Sequence, residues 1–256
     1  NDQPAVVRAA REVAQRLNIP HAVVELSNEF EQEIVGYFVH EYLAGLTPNP
    51  CVRCNRRVKF GLLFEHARRL GAEYLATGHY ARIGEESWGV ALLRGADPAK
   101  DQSYMLANLT PEQLGRAIFP LGNQTKTTTR AMAQEMGIGD AHLGDSQEVC
   151  FVPEDDYGRF VSTRAGTVVE PGPILNARGE RLGTHRGLVY YTVGQRKGLG
   201  IAAKRPLYVL RLVPEQNTLI VGFEDETLCR GLDAIEANWL VTPTKTEFTC
   251  EVQVRY

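Results

Sequence analysis

Up to about residue 150 this chain alternates helix-spaced apolar positions with short strand-like runs, and that alternation points to a parallel sheet with helices packed on it. Residues 4–18 place Val6, Val7, Ala10, Val13, Ala14 and Leu17 at helical spacing, with Pro4 suited to the first turn. "HAVVEL" (21–26) reads as a strand, and 28–44 as a helix with Phe30, Ile34, Phe38 and Tyr42 on one face. After the loop "GLTPNP" a third helix is expected over 51–70, ending at Gly71. "EYLATGHY" (73–80) reads as a buried strand. A turn at Gly84–Glu86 and a strand over 87–95 follow. Thr110 is expected to cap a helix with Glu112 in its first turn, and Gly137 to close another. Cys150 falls on what reads as a short apolar strand.

Near residue 163 the texture changes. Glycines and prolines punctuate short alternating runs, which predicts a small β-rich second domain. From about 228 further strands are expected, as the start of a third unit. The division is 1–162, 163–226 and 227–256. No apolar run approaches the roughly 18 residues of a membrane helix. The chain opens on a helix-like stretch without an initiator Met and stops on an alternating run, so both ends look cut and an internal fragment of a longer protein is expected. A net charge of −3 means that any RNA site must be a local basic patch.

One such patch surrounds two thiols. "TPNPCVRCNRRVKF" (47–60) sets Cys51 and Cys54 among Arg53, Arg56, Arg57 and Lys59. A helix starting at about Cys51 puts the thiols near the positive end of its dipole, and the arginines add to that field. Both effects favour thiolate, so reactive cysteines are expected. The alternatives are two buried small hydrophobes; half of a zinc site, although no second CxxC or His pair with zinc spacing follows; or a thioredoxin-like dithiol, although that motif normally follows the first strand and this one follows a helix and a loop. With five cysteines and no export signal visible, a reducing compartment is favoured over structural disulfides. Cys150, taken alone, reads as a core cysteine. "ATGHY" (76–80) ends a strand where open α/β sheets bind ligands, with Gly78 allowing close backbone approach and His79 able to hydrogen-bond a ligand. Lys100, Asp101 and Gln102 stand together at a loop-to-helix junction, and "TVGQRKGLGI" (192–201) is a glycine-rich basic loop.

Six stretches in this order, "GLTPNPCVRCNRRVKF", "YLATGHYAR", "LLRGADPAKDQSYML", "FPLGNQTKTTTRAMAQEMGI", "DSQEVCFV" and "YTVGQRKGLGI", resemble the tRNA-specific 2-thiouridylases over essentially the whole chain. The resemblance implies an adenine-nucleotide α-hydrolase-like parallel sheet domain, a small β-rich central domain and the start of a C-terminal β-barrel. It implies sulfuration of the wobble uridine of tRNA in the cytoplasm. ATP with Mg2+ would activate the uracil 2-oxygen, and a cysteine desulfurase or sulfur-relay protein would supply sulfur. Cys150 would carry the persulfide, and Cys54 would release its sulfur and close a disulfide with Cys150. Asn49, Pro50 and Cys51 match the contact to the target base, although one branch of the family has Asp where Cys51 stands. A competing scheme makes Cys51, Cys54 and Cys150 ligands of a [4Fe–4S] cluster. Gly78 matches a nucleotide contact. His79, the triplet Lys100, Asp101 and Gln102, and the pair Arg255 and Tyr256 match tRNA contacts. The family's Ser-Gly-Gly-x-Asp-Ser phosphate loop does not occur in this sequence, and neither does most of the barrel. Two rival readings remain: a thioredoxin-like dithiol oxidoreductase, and a non-catalytic RNA-binding module that holds a metal or cluster.

Overall fold

The computed structural model describes residues 5–138, 149–166 and 169–253. The first helix, Ala5–Arg16, buries only Ala14. The expected strand at 21–26 does not form: these residues join no ladder, and Val23 is exposed. A strand needs a neighbour to satisfy its backbone groups, and none of the described strands lies beside it.

Residues 27–43 form one helix with a wide, π-wound middle at Glu31–Gly36. It buries Ile34, Phe38 and Tyr42, three of the four residues expected on its inner face, while Phe30 is half-buried. Burial and the neighbouring phenol of Tyr157 push the Tyr42 hydroxyl up to about 12. The cysteine-bearing helix follows at residues 50–69. It is α-wound at Pro50–Cys54, π-wound at Asn55–Leu63 and α-wound again at Phe64–Arg69. Gly71, with φ +92°, ends it as the sequence suggests.

The parallel sheet is short. Strand β1 (Leu75–Ala76) is much briefer than the run 73–80 suggests. The hairpin that follows turns at a different place from the one expected. Strands β2 (Ala81–Glu86) and β3 (Gly89–Arg94) pair antiparallel, so the turn falls at Ser87 and Trp88 and not at Gly84–Glu86. Thr110 caps the helix Pro111–Gly115 by a reciprocal box with Gln113. That helix stops after five residues, and β4 (Ala117–Ile118) then pairs parallel with β1. Phe60, Ala81, Leu106, Leu109, Leu114, Ala117 and Phe119 make the core beneath these elements. The helix Lys126–Glu135 is capped by Thr125 and closed at Gly137.

After the helix Tyr157–Ala165 comes the β-rich domain. Its strands β5 (Gly172–Asn176), β6 (Arg181–His185), β7 (Tyr208–Val213) and β8 (Thr218–Gly222) lie in the order β6–β5–β8–β7. Strands β5 and β8 are parallel and the other two pairings antiparallel. His185 is a strut of this domain. Its Nδ1 accepts from the backbone N–H of Gly187 at 3.0 Å, so its Nε2 donates to the Asn217 carbonyl at 2.9 Å. The strands expected beyond residue 227 do not form. Residues 229–253 hold no helix or strand, and their alternating apolar side chains find no sheet to join. Long-range contacts hold part of this stretch, such as Asn238 donating to the carbonyls of Ala107 and Leu109 at 2.9 Å. Among the described residues no helix is long and apolar enough to cross a membrane.

Candidate functional site

Asn49 decides where the thiols lie. Its side-chain oxygen accepts from the backbone N–H groups of Cys51 (3.2 Å) and Val52 (3.4 Å), which makes it the N-cap of the cysteine helix. Pro50 takes the first helical position, where its missing N–H costs nothing, and is buried. The helix thus begins one residue earlier than expected, and Cys54 falls beyond the first turn, where the dipole fades.

Both thiols are half-buried and unbridged. Burial pushes them up, which overturns the expectation of a thiolate-favouring pair. The arginines explain the difference. Arg53 turns away to Glu33, donating to its carbonyl at 2.6 Å and its carboxylate at 2.9 Å, and lies over the Tyr37 ring at 4.4 Å. Lys59 is the cation that opposes the effect of burial at both thiols.

Cys150 is neither on a strand nor in the core. It is exposed on a turn closed by Val152 N–H donating to the Val149 carbonyl at 3.0 Å. Its neighbours anchor that turn. Phe151 packs edge-on against Phe30 and Phe38 at 5.7 and 5.3 Å, and Val152 is buried with Phe38, Tyr42 and Val161. Cys150 thereby comes within electrostatic reach of both Cys51 and Cys54 and raises each further. The three cysteines form one neighbourhood but no ligand cage: among the described residues no three His, Cys, Asp or Glu side chains are grouped to hold a metal ion.

The loop after β1 shares Lys59 with the thiols as a charged neighbour. Gly78 is exposed, and an added Cβ there would meet only Leu121 at an ordinary 3.7 Å. His79 is buried, its Nδ1 2.8 Å from the Thr77 hydroxyl, and burial aided by Lys59 lowers it to about 4, so its ring is neutral near pH 7. The next loop is stitched to this one. Gln102 exchanges hydrogen bonds with the Tyr80 backbone, accepting at Oε1 (3.0 Å) and donating from its N–H (2.9 Å). Asp101 accepts from Gly95 N–H at 2.8 Å and from the backbone and hydroxyl of Ser103. The expected tRNA triplet is therefore beside Gly78 and His79, but the acceptors of Asp101 and Gln102 brace the chain itself. Lys100 is half-buried at the same turn. Arg255 and Tyr256 lie outside the described residues. In the second domain the basic loop is pinned by Gly194 N–H donating to Val209 at 2.7 Å, which leaves Arg196 and Lys197 exposed.

Three residues that build this site do not stand out in the sequence. Asn55 and Gln113 fasten the cysteine helix, Asn55 to Met105 and Gln113 by donating to the carbonyls of Arg56 and Phe60 at 3.0 Å. Lys59 reads in the sequence only as part of a basic run. Its distinguishing mark, five residues after Cys54, gains meaning only on a π-wound helix.

Comparison with known proteins agrees with this architecture. Residues 3–154 match the family described as tRNA methyl transferase HUP domain, and residues 159–223 the one described as tRNA methyl transferase PRC-barrel domain. A protein of Symbiobacterium thermophilum named tRNA-specific 2-thiouridylase MnmA is 46% identical over 98% of this chain and 65% of its own length. Its namesake in Geobacter metallireducens is 49% identical over 98% of this chain and 69% of its own length. The chain thus spans about two thirds of the relatives it matches. Both domains are matched in order, and near half of the aligned residues are identical: the chain belongs to the tRNA-specific 2-thiouridylase family.

Proposed function

We propose that the protein is a cytoplasmic tRNA sulfurtransferase that replaces the 2-oxygen of the wobble uridine by sulfur, working through thiols at Cys54 and Cys150. The observation that supports this reading is the approach of Cys150, remote in sequence, to the Cys51–Cys54 pair. A [4Fe–4S] cluster would need Cys51, Cys54 and Cys150 grouped as ligands, and among the described residues no three His, Cys, Asp or Glu side chains are so grouped. A thioredoxin-like dithiol is disfavoured as well, because it would join Cys51 to Cys54 and leave Cys150 without a part, whereas Cys150 acts on both thiols.

ATP with Mg2+, when bound, makes the uracil 2-oxygen a leaving group. Gly78 offers open backbone for the nucleotide, and Asn49, Pro50 and Cys51 face the base. Lys100, Asp101, Gln102 and His79, with Arg255 and Tyr256, serve the tRNA. A sulfur donor, a desulfurase or relay protein, leaves a persulfide on Cys150. The Cys54 thiolate attacks its inner sulfur; the Cys54–Cys150 bond forms, the persulfide S–S bond breaks, and hydrosulfide departs with the electron pair. Hydrosulfide adds at C2, the activated oxygen leaves, and loss of the sulfur-bound proton gives the thiocarbonyl. An external dithiol then reduces the disulfide. The catalytic domain spans 1–162, the central β-rich domain 163–226, and a third unit begins at 227–256. A single turnover of the full-length enzyme without reductant tests the scheme: peptide mass spectrometry is expected to find Cys54 joined to Cys150. Thiolated tRNA with both cysteines still free overturns it.

A further inference from the structure

We propose that the loop at residues 194–201 of the second domain grips the RNA by its phosphates, with Arg196 and Lys197 set on a double-helical stem. This rests on the tRNA reading above and adds a site on residues that the sulfur scheme does not use. The loop is built as a bridge across the sheet. At one end Gly194 N–H donates to the Val209 carbonyl at 2.7 Å and Val209 N–H donates to the Gln195 carbonyl at 2.9 Å, so the loop adds to β7, one edge of the sheet. At the other end Ile201 lies against β6, the opposite edge, 3.6 Å from where a Cβ on Gly183 would stand. Between them Leu199 is buried in the domain core with Ile174, Val209 and Leu219. Gln195 braces the turn: its Oε1 accepts from Thr192 N–H at 3.0 Å and its Nε2 donates to the Lys197 carbonyl at 2.9 Å. With Leu199 inside, Arg196 and Lys197 are left exposed. Gly198 and Gly200, with φ +79° and +68°, leave the neighbouring backbone bare: an added Cβ at Gly200 would meet nothing within 4 Å. A phosphate can therefore reach the main chain as well as the two cations.

Positive charge is concentrated here. The whole chain carries 28 Lys and Arg against 31 Asp and Glu, yet residues 177–211 carry eight against one. That one, Glu180, accepts from the Asn176 amide at 2.7 Å. Some of the eight are engaged: Arg205 pairs with Asp225 at 3.2 Å and lies over Phe223, and Arg186 lies over Tyr190 at 4.1 Å. Arg196, Lys197 and Lys204 are exposed, and among the described residues no carboxylate pairs with them. Arg181, on β6 two residues from Gly183, extends the same positive edge.

Unpaired cations on a braced loop match a polyanion. Residues 194–201 include no aromatic ring, so bases have nothing to stack on and a splayed single strand is not what fits. No large apolar side chain is exposed within the loop, so the anchor that centres a protein interface is missing as well. Phosphate contacts to a stem remain, which supply affinity and register without reading sequence.

The test is RNA binding by the full-length protein at several salt concentrations, with tRNA and with an RNA duplex of unrelated sequence as probes. Arg196→Ala combined with Lys197→Ala is expected to weaken tRNA binding about tenfold and to lower the slope of log K against log salt by about two. The unrelated duplex should show the same loss of slope. Arg196→Lys combined with Lys197→Arg keeps both charges and should keep the wild-type slope. If the alanine pair does not fold, the glutamine pair carries the same expectation. A wild-type slope in the folded, charge-removing pair overturns the proposal and leaves the sulfur-transfer reading standing. Lost thiolation with unchanged tRNA binding overturns it too, and would assign the loop to an acidic protein partner. A wild-type enzyme that thiolates no tRNA overturns the sulfur-transfer reading instead, and the slope on the duplex still decides the loop.

Discussion

The side-chain amide of Asn55 donates to the backbone carbonyl of Met105 at 2.9 Å, joining the cysteine helix to the segment that follows the Lys100–Gln102 turn. That single bond orients the amide. A flipped Asn55 would set oxygen against oxygen, so its Oδ1 points the other way, buried and without a protein partner.

Asn55 is 1% exposed, so its loss should register in stability. Asn55→Ala removes a buried bond and strands the Met105 carbonyl, which should cost about 1–3 kcal/mol. Asn55→Asp should cost more, because it replaces the donor by a second acceptor and buries charge. Urea midpoints of the two variants check the order. A wild-type midpoint in Asn55→Ala would mean that the two segments are held by packing alone.

Gly122 and Gly78, the latter in the loop proposed to take the nucleotide, should behave oppositely. At Gly122 an added Cβ would run into the backbone oxygen of Ala81, so Gly122→Ala should destabilise by about 1–3 kcal/mol or more. At Gly78 the nearest atom is a Leu121 methyl at 3.7 Å, so Gly78→Ala should melt like wild type while raising the KM for ATP. Thermal melts and steady-state kinetics on both variants give the comparison.

His79 makes stability depend on acidity. Its ordinary value of 6.5 falls to about 4 in the fold, so the unfolded chain binds the proton more readily between those values. Above pH 6.5 the histidine contributes no pH dependence. As pH falls from 6.5 toward 4 the folded state loses stability, and the loss is complete below that. His185, also lowered by burial, adds in the same direction. Denaturation midpoints measured from pH 7 to 4 should decline in wild type and decline less in His79→Gln.

How far the sequence reaches shows in the same residues. Helical spacing locates the helices at 27–43 and 50–69, because each buries an apolar stripe that local periodicity reveals. Strands are harder. "HAVVEL" has strand-like residues but no neighbour, and β2 escapes notice because Arg82, Gly84, Glu85 and Glu86 hide a ladder that only β3 completes. Cys150 looks apolar by company, yet Phe151 and Val152 take the interior and leave the thiol outside. Asp101 and Gln102 are legible as a polar cluster, but nothing local says that their acceptors face Gly95 and Tyr80. Long-range hydrogen bonds leave no periodic trace.

The basic residues of the cysteine helix divide into two kinds. Arg53 is held by Glu33 and Tyr37, whereas Arg57 is exposed and Arg56 half-exposed. Arg56→Ala and Arg57→Ala should each weaken tRNA binding and reduce the slope of log K against log salt by about one for every phosphate that the side chain neutralises. Arg53→Ala should leave that slope alone and lower the melting temperature instead. Titrations at several salt concentrations separate the two, and equal slopes in all three variants would remove the helix from the RNA interface.

The cysteines carry the last expectation. Cys54 and Cys150 share a neighbourhood without being bonded, one half-buried on a capped helix and the other exposed on a turn held by Phe151. A disulfide needs Cα atoms within about 7 Å, so oxidation of the pair must bring the turn and the helix to that separation. Cys54→Ser should retain the persulfide on Cys150 and release no sulfide. Cys150→Ser should accept no persulfide at all. Both should abolish thiolation in the full-length enzyme, while Cys229→Ser and Cys250→Ser, at exposed positions far along the chain, should not. Cys51→Ser should keep most activity, since its thiol is raised by burial and, in this scheme, neither carries nor receives sulfur. Thiolation measured by nucleoside mass spectrometry decides the set, and a Cys51→Ser enzyme as dead as Cys54→Ser would show that three thiols, not two, take part.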